Sequence, residues 1–149
     1  MLNKALDTTI DERNGRWLLL AWLTALGATV GALFIGEIIG QTPCSLCWFQ
    51  RIFMFPLAVI LGIAAFRLDA SIRIYALPIA GLGAAVAAFH TLLYFGLVEE
   101  ALTPCARNGP SCSGEAMAIF AWLPLPLVSL LAFAAIAGFL LKCRPGVYR

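Results

Sequence analysis

The chain has 149 residues, of which 62% are hydrophobic and only 12% are charged. Soluble domains are nearer half apolar and a quarter charged, so this composition is typical of an integral membrane protein. The formal net charge is only +2, and the cations are not clustered as a nucleic-acid-binding surface requires, so we expect no nucleic-acid partner.

Four apolar segments are long enough to cross a lipid bilayer as helices. A helix rises about 1.5 Å per residue, so about 20 residues cross a hydrocarbon core of ~30 Å. The segments lack the apolar/polar alternation of membrane β-strands. The sequence therefore predicts an all-α integral membrane four-helix bundle, a single membrane domain 1–149 with spans near 17–39, 48–66, 74–98 and 116–141.

The basic residues predict the orientation of these spans. Four crossings place both termini and the middle turn on one side of the membrane. That side carries most of the cations: Lys4, Arg13, Arg16, Arg67, Arg73, Lys142, Arg144 and Arg149. The positive-inside rule places this side, with both termini, in the cytoplasm, so that residues 40–47 and 99–115 form two outer loops that both carry cysteines.

The first span is longer than a usual signal-peptide core and lacks a small-residue cleavage site, so we expect it to be retained. The polar stretch Lys4–Arg16 before it is expected to lie on the inner surface or to be disordered. Glu37, near the outer end, is either interfacial or paired with Arg51 across helices. The small-residue spacings favour close helix packing by Gly27, Gly31, Gly36 and Gly40.

Cys44 and Cys47 form a C-x-x-C pair that fits one disulfide across the first turn of a helix. Pro43 suits a helix start, which places the positive end of the helix dipole at the cysteines and stabilises a thiolate there. Arg51 follows Cys47 at i, i+4 on the same helix face, so a thiolate at Cys47 would have a guanidinium nearby. Arg51 either snorkels to the interface or anchors an anionic or carbonyl-bearing ligand.

Cys105 and Cys112 bracket a turn-forming stretch of the second outer loop. A disulfide there would be either a structural staple or an exposed bond open to attack by an outside thiolate. The C-x-x-C pair is a poor staple, because it closes too few residues to stabilise much. Four thiolates also suit zinc, but the wide second spacing and the oxidising outer face lead us to expect no metal.

The fourth predicted span contains two prolines in its outer part, Pro124 and Pro126. These either kink the helix, with neighbours satisfying the backbone, or widen an entrance between helices. Cys143 lies on the reducing inner side between Lys142 and Arg144, where we expect a thiol without a role.

The stretch Pro-Cys-Ser-Leu-Cys-Trp-Phe-Gln-Arg, residues 43–51, resembles the signature of the DsbB/BdbC disulfide-bond-formation membrane proteins. The resemblance covers most of the chain and all four helices, because it continues through Glu37, Ile52, Met54, Pro56, His90, Pro104-Cys105 and Ser111-Cys112. The short spacing between the last two cysteines is similar to the BdbC branch.

This resemblance implies a thiol:quinone oxidoreductase of the bacterial cytoplasmic (inner) membrane. An extracytoplasmic thioredoxin-fold thiol oxidase, DsbA/BdbD-like, would attack Cys105 and displace Cys112. Cys112 would then pass electrons to the Cys44–Cys47 pair, called here the first pair. Cys44 would exchange with the loop, and Cys47 would face ubiquinone or menaquinone from the membrane quinone pool, held by Arg51. The reducing equivalents leave as quinol, so no flavin or metal is required.

His90 is the one histidine of the chain, and it lies about two turns below the predicted outer end of the third span. It either bonds to a neighbouring helix or serves the quinone pocket as a hydrogen-bond or proton donor, since quinone reduction needs two protons.

Two alternatives to the oxidase remain open at the level of sequence. The first is a reductase of the vitamin K epoxide reductase type, because the direction of electron flow is set by reduction potentials. The second is a non-catalytic membrane scaffold with two structural disulfides.

Overall fold

The protein is described by a computed structural model that defines residues 2–98, 112, 118–119 and 123–143, with the side chains of residues 11–98, 112 and 124–143. The helices are α1 (Leu2–Leu33), α2 (Ser45–Arg67), α3 (Arg73–Tyr94) and α4 (Leu125–Lys142). A π-helical turn, Phe34–Ile38, extends α1, and a 3₁₀ turn, Ala70–Ile72, precedes α3. Two-residue strands, β1 (Ala118–Ile119) and β2 (Leu123–Pro124), pair antiparallel before α4.

The four helices form a bundle in which each helix packs mainly against two neighbours. α1 packs against α2 and α4, and α3 packs against the same two helices, so α1 and α3 lie diagonally opposite. Each helix, with its flanking turn where present, is long and apolar enough to cross a membrane, over Asp11–Ile38, Ser45–Arg67, Ala70–Tyr94 and Leu125–Lys142. The predicted all-α membrane bundle is confirmed.

Buried apolar side chains fill the middle of the bundle. In the main core cluster the largest fully buried side chains come from three helices: Leu18, Leu57, Leu61, Phe133, Ile136 and Leu140. α3 approaches α4 at Gly83, where a Cβ would clash with the ring of Phe133. Large apolar side chains such as Ile38, Phe66 and Leu141 are exposed on the outside, as expected for a surface that faces lipid rather than water.

The N-terminal polar stretch is helical, which corrects the expectation for Lys4–Arg16. α1 starts at Leu2 and runs without interruption into the apolar span. Tertiary contacts support this extension, because Asn14 is buried and a Cβ at Gly15 would lie 2.7 Å from Leu68 Cδ2 in the turn after α2.

The fourth span begins at Leu125, nine residues later than the predicted 116. Pro124 is the N-cap and Pro126 lies in the first turn, where a missing N–H costs nothing because the first turn has no intrahelical acceptors for it. The two prolines therefore start α4, and the prediction that they interrupt it was wrong.

The third helix ends at Tyr94, four residues before the predicted 98. Gly96 has a φ of +71°, a left-handed conformation that commonly terminates helices. His90 thus lies about one turn from the end of α3, or ~6 Å along its axis, rather than two turns.

Candidate active site

Cys44 and Cys47 lie together at the start of α2. Cys44 is the N-cap, with extended backbone (φ −71°, ψ 170°), and its Sγ accepts a hydrogen bond from the Cys47 N–H at 3.4 Å. The two Sγ atoms are 3.2 Å apart with no S–S bond between them. The helix start predicted from Pro43 therefore holds the pair in contact, in the dithiol form.

His90, on α3, contacts Cys44, Gln50 and the backbone of Cys112. The side chain is fully buried, and its Nε2 lies 3.8 Å from Cys44 Sγ and 3.1 Å from the Cys112 carbonyl oxygen. On the other side of the ring, Nδ1 lies 2.9 Å from Gln50 Nε2. A carbonyl oxygen and a thiolate both accept, so Nε2 carries the hydrogen and the Gln50 amide donates to Nδ1.

Hydrogen-bond donors converge on the Cys44 sulfur. The pKa of Cys44 is lowered from 9.0 to about 4, chiefly by the hydrogen bond from the Cys47 thiol and then by those from His90 and the Cys47 N–H, against the opposing effect of burial. Sequence reasoning placed the stabilised thiolate at Cys47, beside Arg51. The described contacts place the donors on Cys44 instead: the thiol and N–H of Cys47 from α2, and the imidazole of His90 from α3.

Cys112 lies against the first cysteine pair. It is fully buried and belongs to one apolar cluster with Cys44, Leu46 and Leu93. Cys112 is disulfide-bonded. The sulfur at the other end of this bond lies outside the described residues, and so does Cys105. The structure thus brings one loop cysteine to the pair predicted to exchange with it.

Arg51 spans the gap between α2 and α1. Its Nη2 donates a hydrogen bond to the Ala32 carbonyl at 2.8 Å, and the guanidinium carbon lies 5.4 Å from the Trp48 ring centroid. A Cβ at Gly36 would lie 3.0 Å from Nη2, so glycine permits this close approach. Glu37 is exposed, and among the described residues no ion pair joins it to Arg51, which favours the interfacial interpretation of Glu37.

A cavity of ≈ 420 Å³ lies between α1, α2 and the start of α4. Cys47, Gln50, Arg51, His90 and Pro126 contribute to its walls. Its described surroundings are mainly apolar, and the reactive polar groups among them are one guanidinium, one thiol and one imidazole.

The small residues of α1 form one wall of this cavity. Gly27 and Gly31 both line it, and a Cβ at either position would meet no atom within 4 Å. The prediction that these glycines permit close helix packing was therefore wrong for both of them. Their lack of side chains leaves room in the cavity, while Gly36 makes room for the guanidinium.

Gln50 is the site residue that sequence reasoning missed. It is 7% exposed and it holds His90 from the opposite side to the cysteines. A signal was present in the sequence, because Gln50 lies at i+3 from Cys47 and so shares its helix face. An amide on the buried face of an apolar helix needs a hydrogen-bond partner.

Known proteins resemble this chain over most of its length. Residues 14–143 match the family model of disulfide bond formation protein DsbB. A probable disulfide formation protein of Metapseudomonas resinovorans is 56% identical over 127 residues, covering 85% of this chain and 88% of the relative. A probable disulfide formation protein of Deinococcus radiodurans is 44% identical, covering 83% and 85%.

A third relative represents the branch that the loop spacing indicated. Disulfide bond formation protein C of Bacillus subtilis is 39% identical over 124 residues, covering 83% of this chain and 89% of the relative. No solved structure matches the chain. The family match over most of the chain, together with four membrane-spanning helices, shows that this multi-pass membrane protein belongs to the DsbB family of disulfide bond formation proteins.

Proposed function

We propose that this protein is a thiol:quinone oxidoreductase that reoxidises an extracytoplasmic thioredoxin-fold thiol oxidase in the bacterial inner membrane. One observation carries the proposal: the two sulfurs of the first pair have different surroundings. Cys44 is a buried member of the cluster that contains Cys112, whereas Cys47 packs only at the edge of that cluster and lines the cavity with Arg51. This division matches an enzyme that takes electrons from a loop and passes them to an apolar acceptor.

The first exchange takes place in the second outer loop. A thiolate of the partner attacks Cys105, the Cys105–Cys112 bond breaks, and Cys112 leaves as a thiolate. The second thiol of the partner then attacks the mixed disulfide, which leaves the partner oxidised and both loop cysteines reduced. Two electrons have entered the loop pair, and the basic residues at the opposite ends of the helices support an extracytoplasmic location for this loop.

The second exchange passes these electrons to the first pair. With Cys44 and Cys47 in a disulfide, the Cys112 thiolate attacks Cys44, and Cys47 leaves. Cys105 then attacks Cys112, which re-forms the loop disulfide and releases Cys44 as a thiolate. The low pKa of Cys44 favours this release, since a stable thiolate is a good leaving group. His90 supports the step by holding its Nε2 hydrogen towards Cys44 and the Cys112 backbone.

The cavity fits a quinone ring as the electron acceptor. Its walls are mainly apolar, and a guanidinium and a thiol lie on one side, as a carbonyl-bearing apolar ligand requires. A bound quinone supplies an acceptor for two electrons and two protons and leaves as quinol. Cys47 faces this acceptor, Arg51 binds its carbonyl oxygen, and the 3.2 Å between the sulfurs allows Cys44 to close the disulfide.

The test uses purified protein, a reduced thioredoxin-fold partner and a soluble quinone. We expect partner thiols to disappear in step with quinone reduction, and neither change to occur when the Cys44 and Cys47 side chains are replaced by Ala. Persistence of the partner thiols in the presence of quinone would contradict the proposal. The reverse mixture, quinol with oxidised partner, measures the direction and would give faster turnover for a reductase.

A further inference from the structure

Three soft or borderline metal-ligand atoms converge at the cysteine pair. Cys44 Sγ, Cys47 Sγ and His90 Nε2 all lie within 4.8 Å of one another. The sulfur–sulfur distance is 3.2 Å and the distance from Cys44 Sγ to Nε2 is 3.8 Å. Tetrahedral zinc has Zn–S bonds of about 2.3 Å and Zn–N bonds of about 2.0 Å, which place its ligand atoms roughly 3.5 Å apart.

We propose that, in the dithiol form, Cys44, Cys47 and His90 are a binding site for one thiophilic cation of the Zn²⁺ class. Both sulfurs bind as thiolates, so any thiol proton still present is released, and two Zn–S bonds and one Zn–N bond form. Two thiolates neutralise the charge of the cation, which suits a site where Cys44 and His90 are buried. The Cys44–Cys47 disulfide has no thiolate to offer, so the site exists only while the pair is reduced.

Gln50 provides the outer partner that such a site needs. A metal at Nε2 requires its lone pair, so the imidazole hydrogen must move to Nδ1. The Gln50 amide lies 2.9 Å from Nδ1, and a half-turn of the amide presents its Oε1 as the acceptor for that hydrogen. Ligating histidines commonly donate their second N–H to a carbonyl or carboxylate in this way.

The position of the site gives metal binding a consequence for the reaction. A cation bound to both sulfurs would prevent Cys47 from reacting at the cavity and Cys44 from closing the disulfide. Thiophilic cations are therefore expected to inhibit the protein after its first pair has been reduced. This consequence rests on the proposed function, but the binding itself does not.

The binding experiment uses no quinone and no partner, so it can fail independently of the proposed function. Protein with Cys105→Ser and Cys112→Ser is reduced in detergent, freed of reductant without oxygen, and titrated with Zn²⁺ against a chromophoric chelator. We expect one equivalent to bind to the reduced chain and none to the chain with the Cys44–Cys47 disulfide. Equal binding to the two forms would overturn the proposal.

Substitutions then identify the ligands. We expect Gln50→Leu to weaken Zn²⁺ binding by about 10–100-fold, and His90→Gln and Cys47→Ser to weaken it more. Cys143→Ser is the matched control, because it removes a buried thiol at the opposite end of the bundle, and it should leave the affinity unchanged. Unaltered affinity after His90→Gln, or lost affinity after Cys143→Ser, would contradict the assignment.

X-ray absorption at the zinc edge tests the ligand set without altering a ligand. On the zinc-loaded protein with Cys44, Cys47, Gln50 and His90 intact, we expect two sulfur neighbours and one imidazole nitrogen. A first shell of sulfur and oxygen alone would show that His90 is not a ligand and would overturn the proposal even where His90→Gln fails to fold.

Discussion

Cys44 and Cys143 are equally buried thiols at opposite ends of the bundle, each 1% exposed, yet their chemistry diverges. The pKa of Cys44 is lowered to about 4, whereas burial raises the pKa of Cys143 above 9.0 despite the nearby Arg73. Neighbouring groups explain the difference. Donors surround the Cys44 sulfur, but the Cys143 Sγ donates to the carbonyl of Phe139 at 3.6 Å, and Arg73 donates to the Cys143 carbonyl oxygen. The direction of the surrounding hydrogen bonds, rather than burial, decides which thiol ionises.

The largest difference is expected when the cysteine at each end of the bundle is replaced by serine. Cys44→Ser should abolish quinone-dependent oxidation of the partner, because no disulfide can form in the first pair. Cys143→Ser should keep activity close to that of the unaltered protein. Initial rates of partner oxidation measure both, and substantial activity in the Cys44 variant would show that the Cys44–Cys47 pair does not carry the electrons.

The second largest difference is expected in the pH at which Cys44 and Cys143 ionise. Because the pKa of Cys44 is lowered to about 4, its thiolate persists down to about pH 4 and is lost only as the pH falls through that value. The thiolate of Cys143 appears only above pH 9.0, since its pKa is raised. Thiolate absorbance in the ultraviolet should therefore be present at pH 6 in reduced, metal-free Cys143→Ser.

Reduced, metal-free Cys44→Ser is the matched control for that measurement. At pH 6 it should lack the thiolate absorbance that Cys143→Ser retains, because the donors that lower the pKa surround Cys44. Equal absorbance in the two variants would show that Cys44 is not the thiol whose pKa is lowered.

An intermediate effect is expected from Arg51→His. Hydrogen bonds to charged groups are worth about 1.5–3 kcal/mol, so the apparent quinone KM should rise about ten- to hundredfold. The exchange with the partner should change much less, because Arg51 lines the cavity rather than the cluster around Cys112. Steady-state kinetics at varied quinone, compared with quinone-free mixing with the partner, separate the two steps, and equal losses in both would refute this role.

The smallest effect should come from Gln50→Leu. Loss of one neutral hydrogen bond of about 0.5–1.5 kcal/mol to His90 should slow the exchange between the loop and the first pair by about two- to tenfold. Gln50→Glu replaces the amide donor by an acceptor, which bonds His90 only when Nδ1 also carries a hydrogen, and so it should shift the pH profile of that exchange to higher pH. A single-turnover measurement over a pH series checks both, and identical profiles would show that Gln50 only fills space.

Local chemistry made the start of α2 predictable from sequence. Pro43 and the C-x-x-C spacing indicate a helix N-terminus, and the i, i+4 spacing puts Arg51 on the face of Cys47. The link from Gln50 to His90 was not predictable, because it joins residues of α2 and α3 and depends on how those helices align. The hydrogen bond from His90 to Cys44 was unpredictable for the same reason, and Arg51, beside Cys47, was the only side chain considered as a neighbour that stabilises a thiolate.

The packing of the glycine face of α1 was not predictable from the sequence. Glycines at small-residue spacing indicate either a close helix contact or a wall of open space, and only the position of the neighbouring helices distinguishes the two. At Gly27 and Gly31 no atom of a neighbouring helix lies within 4 Å of the position that a Cβ would occupy. The start of α4 was missed because apolar residues before Pro124 extend the hydrophobic pattern beyond the helix.

The π-helical turn Phe34–Ile38 sets which side of α1 meets Arg51. The Ile39 N–H donates to the Phe34 carbonyl at 3.1 Å, five residues back along the chain. This turn therefore contains one residue more than an α-helical turn. Deleting one residue here would rotate the following backbone by about 100° relative to the rest of α1. Gly36 would then turn away, and a bulkier neighbour would meet the guanidinium. The number of residues in this turn is therefore itself a determinant of the shape of the cavity.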